Sequence, residues 1–499
     1  MTKLYNRCLN GIETIGNNLP HPVILFAVLS GSIVLISAIC SMLGISATGE
    51  LISNGQLTET TVHVVSLLTP EGISYMLTNA VTNFTTYAPL GMVLAAMLGV
   101  GVAEQSGLIH TLLKSAIKIT PSKWIAPAVV FLGVMSNIAS DAGYVILIPL
   151  GAMIFRAYGR HPMAGLAAAF AGVSGGYAAN LLIGSLDTLL TGITQSAVDL
   201  IDPEYQVNVM GNYIFLIVST FLITILGTIV TEKIVEPRLG IFHEEIKDKE
   251  DDSLTTITAL ERKGLKRAGI AAIIFIIFVC LLRLPSDTFL NSIVILITLL
   301  FMIPGIAYGK TVGTFHTKNS VCDAMTKSMS SMGSFLVLAF VSAQFINYFN
   351  YTKLGTIVAL SGANFFKNIN IGLIPLMIIF ILFSAFMNLF MGSASAKWNI
   401  LAPVFVPMFM LLGYSPELCQ LAYRIGDSST NIITPMMTYF SVILVFAKRY
   451  DKDAGIGTIT ATMVPYSLAF LLGWTLLFIL WILLKLPIGI GTHLFYIPT

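Results

Sequence analysis

Charge is what this chain has least of. Of its 499 residues, 10% are Asp, Glu, Lys or Arg and 56% are hydrophobic, giving a mean hydropathy of +0.85. A soluble domain carries about 25% charged residues. A deficit spread over almost the whole length excludes a globular protein with one large core and points to a polytopic helical membrane protein. Cysteine is also scarce. The five present (Cys8, Cys40, Cys280, Cys322 and Cys419) are scattered, mostly in apolar runs and without a CxxC, which argues against a disulfide framework or a zinc site. The histidines are dispersed, and no HExxH occurs. A net charge of +2 with no basic patch interleaved with aromatics gives no reason to expect nucleic acid as a partner. Gly305 to Thr311 imitates a phosphate-binding loop but is one residue short and ends a membrane span. The chain is therefore not expected to be ATP-driven by itself. With no nucleophile–base pair and no metal cluster in view, it is not expected to be an enzyme.

What is abundant is long apolar runs. The first begins near Pro22 without a small-x-small cleavage site and reads as a retained span rather than a signal peptide. Full-length spans are predicted at 22–45, 84–103, 164–190, 211–231, 269–284, 287–308, 329–349, 418–446 and 456–484. Two further blocks, 122–158 and 371–413, are too long for one span and are cut in the middle by polar residues. Each fits a pair of half-helices that dips in and returns to the same side. Such backbone is tolerated at membrane depth only when packed in protein or lining a cavity. The expected fold is thus all-α and polytopic, with about nine transmembrane helices and two re-entrant hairpins.

The distribution of basic residues orients the spans. With the N-terminus (Lys3, Arg7) in the cytoplasm, 46–82 and 191–210 fall outside, and neither holds a Lys or Arg. Lys114, Lys118, Lys123, Arg156 and Arg160 then flank the first hairpin on the cytoplasmic side. Only Arg283, Lys353, Lys367 and Lys485 are left outside, with Lys397 and Arg424 in the membrane. This placement makes the second hairpin enter from the side opposite to the first. Residues 1–231 form a first half and 269–499 a second. The polar segment 232–268 reads as a cytoplasmic linker.

An internal repeat agrees with that topology. Pairing residue i with i+254 matches Ala142 with Ala396, Ile146 with Ile400, Leu147 with Leu401 and Pro149 with Pro403. It goes on to match Gly159 with Gly413, Pro162 with Pro416 and Ser174 with Ser428. Two copies of opposite entry are the inverted repeat expected of an alternating-access carrier, although a channel can carry one too. Each copy has a second break: Ser174-Gly175-Gly176 through Asn180 inside 164–190, and Gly426 through Asn431 followed by Thr434-Pro435 inside 418–446. Glycines and proline are expected to unwind these helices, freeing carbonyls and hydroxyls for a small cation.

Within these breaks the candidate residues stand out by their cost. Asp427 and Arg424 lie in mid-span, where an ionised group needs a partner or a water-filled cavity. They read either as an Asp427–Arg424 pair that ties helices, or as a coupling site for a cation or proton (Asp427) beside a contact for a substrate carboxylate (Arg424). Asp141 at the first tip reads as an ion-coupling residue or as a cap on the second half-helix. Asp187 reads as a proton relay or an interfacial residue. Asn388, Ser393 and Ser395 at the second tip read as ion or substrate ligands or as tip packing, and Ser136, Asn137 and Ser140 at the first tip mirror them with the same two readings. Trp398 reads as a platform for an aromatic ring or as ordinary packing.

The joined motifs SNIASDAGYVILIPL (136–150), MNLFMGSASAKWNILAPVFVPM (387–408) and YRIGDSSTNIITPMMTYF (423–440) resemble the AbgT family of transporters, as does the opening LNGIETIGNNLPHPVILF (9–26). The resemblance covers essentially the whole chain. It implies a homodimer in a bacterial inner membrane, each protomer with nine spans and two oppositely inserted hairpins. It further implies sodium at Asn388 and Asp427, a substrate path at Trp398, Pro416 and Arg424, and proton coupling at Asp187. Members are described as importers of p-aminobenzoyl-glutamate and as exporters of sulfonamides. The expected function is therefore cation-coupled secondary transport of such aromatic anions. Sodium and/or a proton would be the coupling ion, and no other cofactor is expected. A sodium-coupled C4-dicarboxylate carrier and an ion channel are the alternatives.

Overall fold

A computed structural model describes residues 22–497 apart from 54–55, 119–120, 140–142, 241, 243–256, 286–287, 290–291, 370, 435–436 and 438. Ser140 and Asp141 therefore lie outside the described residues, as does the middle of the linker. The chain is helical almost throughout. It opens with α1 (Pro22–Met42), a hairpin of β1 (Ser46–Ser53) and β2 (Gln56–His63), α2 (Pro70–Thr85), α3 (Ala88–Gln105) and α4 (Leu108–Lys118). Next come the helix–turn–helix α5 (Ile125–Ser136) and α6 (Ile148–Ala157), then α7 (Pro162–Phe170), which continues as one widened turn to Gly175. After an irregular stretch α8 (Ser185–Val198) and α9 (Tyr213–Val230) complete the first half.

The second half contains α10 (Ala259–Leu281), α11 (Ile293–Val312), α12 (Ser320–Ser331), α13 (Gly333–Tyr351) and α14 (Leu354–Ile369). A second helix–turn–helix follows, α15 (Leu373–Asn388) and α16 (Ala394–Leu411). The chain then runs through α17 (Pro416–Asn431), α18 (Phe440–Ala447) and α19 (Ile456–Leu483). Among the described residues seven helices are long and apolar enough to cross a membrane, or eight if the bent pair α12–α13 counts as one.

The outer helices show why they face lipid. On α19 Leu468, Leu472, Leu476, Leu480 and Leu483 are exposed, while Tyr466, Phe470, Trp474, Phe478 and Trp481 are buried. Spacings of three and four put each set on one face. α10 exposes Ile270, Ile273, Ile274, Ile277, Phe278 and Leu281 in the same way. In water such apolar faces would drive association, whereas in a bilayer they cost nothing.

Several boundaries differ from the sequence expectation, each for a local reason. The predicted span 164–190 is two helices: α7 ends at Gly175, and α8 carries the chain on to Val198. α10 begins ten residues before the predicted 269, because Thr258 and Glu261 form a capping box, Thr258 Oγ1 accepting from the Glu261 amide and Glu261 accepting from the Thr258 amide. The β hairpin and α2 were not anticipated within 46–82. Gly305 to Thr311 is helical, inside α11, so no phosphate loop exists there. A Cβ at Gly305 would lie 2.8 Å from Ala103 Cα, so this glycine serves helix contact.

Two features bear on the repeat and the charge count. α6 ends at Ala157 and α16 at Leu411; α7 starts at Pro162 and α17 at Pro416, both 254 residues apart. Arg283, Lys353 and Lys485, three of the basic residues that the charge count puts on the far side, have φ of 44°, 60° and 51°. They follow the last residues of α10, α13 and α19, where a cation complements the negative end of the helix dipole.

A candidate ion and substrate centre around the polar helix

The centre is built on α17. All sixteen of its residues are buried, although the helix is polar. A buried helix with this composition must find partners for its polar groups within the protein. Ser415 caps it by accepting from the Leu418 amide, and Pro416 occupies the first turn, where its missing N–H costs nothing. Gln420, Tyr423, Arg424, Asp427 and Asn431 recur at helical spacing and line one side.

The helix is not unwound at Gly426 to Asn431, contrary to the sequence expectation; it stays helical to Asn431 and breaks only afterwards. Gly426 has a different task. A Cβ there would strike the Ile381 carbonyl oxygen and come within 2.8 Å of Ser384 Cβ, so glycine lets α15 pack directly on α17. The first half uses the same device: a Cβ at Gly133 of α5 would lie 2.7 Å from Gly172 Cα.

Asp427 is paired with Lys397, not with Arg424. Lys397 Nζ lies 2.5 Å from Asp427 Oδ1, and both side chains are buried. The same ammonium donates to Asn388 Oδ1. Asn388, the last residue of α15, turns its Nδ2 toward the Asp427 carbonyl oxygen (2.6 Å), Thr430 Oγ1 (2.9 Å) and Asn431 Oδ1 (2.8 Å). An amide has two hydrogens for these three acceptors. The pocket is thus rich in oxygen, with a carboxylate, a carbonyl, a hydroxyl and two side-chain amides, a donor set that suits a hard cation. Tyr423 adds its hydroxyl, 3.3 Å from Asp427 Oδ1, while donating to the Ala394 carbonyl at 2.5 Å.

Arg424 turns the other way. Its Nη2 lies 2.5 Å from Asp187 Oδ1, and both groups are buried. Asp187 sits in the first turn of α8, where Oδ2 accepts from the Gly184 amide at 2.7 Å. A carboxylate is favoured there by the unpaired amides and the positive end of the helix. Arg424 Nε is buried without a partner, so its N–H is left open to a further acceptor.

Trp398 is fully buried and stacked on Tyr423, ring centroids 4.5 Å apart and planes at 23°. Its Nε1 donates to Thr194 Oγ1 at 2.9 Å, and Thr194 donates to Gln420 Oε1 at 2.6 Å. Gln420 Nε2 donates to Asn212 Oδ1 at 3.2 Å. This chain of bonds ties α16, α8, α17 and the start of α9 together.

The first half holds a fainter counterpart. Asn137 Nδ2 donates to the Gly176 carbonyl at 3.4 Å, a reach of 39 residues, equal to that from Asn388 to the Asp427 carbonyl. Asn137 Oδ1 is buried without a partner. Ser136 bonds back to the Gly133 carbonyl at 2.7 Å. Ser393 caps α16, and its hydroxyl is 3.4 Å from that of Ser395. Pro416 stands apart, eight residues before Arg424, about 12 Å along the helix. Sequence reasoning missed Lys397, which it placed in the membrane without a partner. The signal was available, because a lysine at that depth requires a counter-charge.

Broken and unbroken apolar helices packed around buried ion pairs define a polytopic membrane transport protein. The chain belongs to the AbgT putative transporter family, whose model matches residues 7–496. It is 38% identical over 496 residues to the p-aminobenzoyl-glutamate transport protein of Escherichia coli K12, covering 97% of this chain and 96% of that one. The fold is similar to that of the Alcanivorax borkumensis YdaH transporter, with a TM-score of 0.87 and 43% identity, covering 94% of this chain and all of the other. It is also similar to Neisseria gonorrhoeae MtrF, described among a class of antimetabolite efflux pumps, with a TM-score of 0.91 and 47% identity over 97% of this chain and 99% of that one. The protein is therefore a transporter and not an enzyme.

Proposed function

We propose that the protein is a cation-coupled secondary transporter of p-aminobenzoyl-glutamate-like aromatic anions, with export of sulfonamide-like compounds as a second mode. The observation that carries this reading is the pair of buried ion pairs on α17. Asp427, with the oxygens around Asn388, offers a site for sodium, and Arg424 offers one for a substrate carboxylate. Arg424 rests on Asp187, which the incoming carboxylate replaces; Asp187, once released, is the residue assigned to proton coupling. Trp398, held by Thr194 and Tyr423, forms the aromatic wall of the path, with Pro416 at its far end.

Mechanically, α5–α6 and α15–α16 act as oppositely inserted hairpins of an inverted repeat. α5 and α6, at twelve and ten residues, are about 18 and 15 Å long, short of a core about 30 Å thick. Alternating access then comes from one hairpin and its broken helix moving against the other. The Asp187–Arg424 contact crosses between halves and is the natural latch. The working form is a homodimer in a bacterial inner membrane with the N-terminus in the cytoplasm, the side given by the distribution of Lys and Arg.

A C4-dicarboxylate carrier is the second reading, since Arg424 suits any carboxylate and the ring of Trp398 is already stacked on Tyr423. Competition separates them. Uptake inhibited by aminobenzoates but not by succinate supports the first, and the reverse overturns it. Saturable, slow flux rather than single-channel conductance excludes a channel.

A further inference from the structure

The Lys397 ammonium sits where the coupling cation is expected. It bonds to Asn388 Oδ1 and lies 2.5 Å from Asp427 Oδ1, the side-chain oxygens of the two residues assigned to sodium. Its side chain is fully buried, out of contact with bulk solvent. Among the described residues its acidic partner is Asp427, while Arg424, one turn from Asp427, is neutralised by Asp187. One carboxylate stabilises one cation in a buried pocket, and a second positive charge at the same oxygens is repelled.

We infer that Lys397 is a tethered competitor for the coupling ion. Its ammonium holds the site in the ion-free protein and leaves as sodium enters. The inference rests on reading Asn388 and Asp427 as the cation site.

Two features of the fold make the exchange consequential. Lys397 is in the first turn of α16, nine residues beyond Asn388, and the turn between α15 and α16 separates them. The lysine bridges the second arm of the hairpin to α17, so its release removes an ionic contact between these helices. Its departure leaves the Tyr423-to-Ala394 bond as a neighbouring tie between them. Lysine suits this role because its charge rides on a flexible four-carbon stem, whereas a planar guanidinium would lock in place. The hydroxyls of Ser393 and Ser395 lie in the adjoining turn, which is partly exposed, and give the displaced ammonium polar partners.

The test is a sodium titration of thermal unfolding on the purified full-length protein. Sodium chloride is exchanged for choline chloride at constant ionic strength, because a ligand that binds only the folded state raises its stability in proportion to occupancy. Lys397→Gln is expected to lower the half-saturating sodium concentration by about tenfold or more and to unfold more readily in choline. Asp427→Asn should show no sodium response. Asn388→Asp keeps the lysine and adds a second carboxylate, so it too should tighten sodium by about tenfold, independently of how well the lysine variant folds.

Sodium dependence in Lys397→Gln and Asn388→Asp unchanged from the wild type overturns the inference while leaving the cation site standing. No sodium response in the wild type or in either of these variants overturns the cation site and the inference with it. A Lys397→Gln protein that stays folded only in sodium supports the inference.

Discussion

Arg424 and Asp187, 237 residues apart in the chain, meet at 2.5 Å inside the protein and join the polar helix α17 to the first turn of α8. The contact crosses between the halves of the chain. It also settles how the four charges of the centre are shared, since Asp427, three residues from Arg424, is left to Lys397.

Removing Arg424 tests its part in recognition. Arg424→Gln strands the Asp187 carboxylate in a buried site, a loss of about 3–5 kcal/mol. The substrate concentration for half-maximal uptake should rise at least about tenfold, as expected for losing a buried charged contact. The double variant Arg424→Gln/Asp187→Asn should recover thermal stability but not substrate affinity. Recovery of both would make the arginine a structural tie.

Asp427→Asn should still insert into the membrane, at a cost in stability because Lys397 is left buried without its counter-charge, and should lose gradient-driven flux. Size-exclusion profiles check insertion and folding, and uptake under an imposed sodium gradient checks coupling. Wild-type flux in this variant would remove Asp427 from the mechanism.

Trp398 acts through its ring and its anchor. Trp398→Phe keeps the stack on Tyr423 and loses the bond to Thr194, a change of about 1 kcal/mol. Uptake should fall only modestly. Trp398→Ala removes the wall and should abolish most transport. Equal losses in the two variants would place the weight on the indole N–H.

Gly426→Ala replaces a poor helix former with the best one, a gain of about 1 kcal/mol in isolation. The added methyl meets the Ile381 carbonyl and Ser384, so the fold should instead lose about 1–3 kcal/mol. A melting temperature above wild type would contradict the close packing of α15 on α17.

The sequence carried the strong periodic and compositional signals well. Apolar runs located α1, α9 and α19 within a few residues and α11 less closely, and polar interruptions located the turns between α5 and α6 and between α15 and α16. It could not carry partnership. Asp427 and Arg424 are three apart on one helix, which made them look like a pair, whereas their partners come from α16 and α8. Glycine misled for the same reason. At Gly426 the residue type suggested unwinding, but its use is a close approach to Ile381 and Ser384 on a helix remote in the sequence. Lys397 was visible as a charge at depth, yet only its geometry beside Asn388 and Asp427 gives it a role. The β hairpin and α2 were missed although their signals were present in the sequence, Asn54-Gly55 as a turn dipeptide between two runs and Ile73, Leu77 and Val81 at helical spacing.

The central claim is coupling. Its most direct test is uptake of labelled p-aminobenzoyl-glutamate into liposomes holding the purified protein, with a sodium gradient and a proton gradient imposed separately. The account predicts saturable uptake that follows at least one gradient and is lost in Asp427→Asn. Flux indifferent to both gradients, or unchanged in that variant, would contradict it.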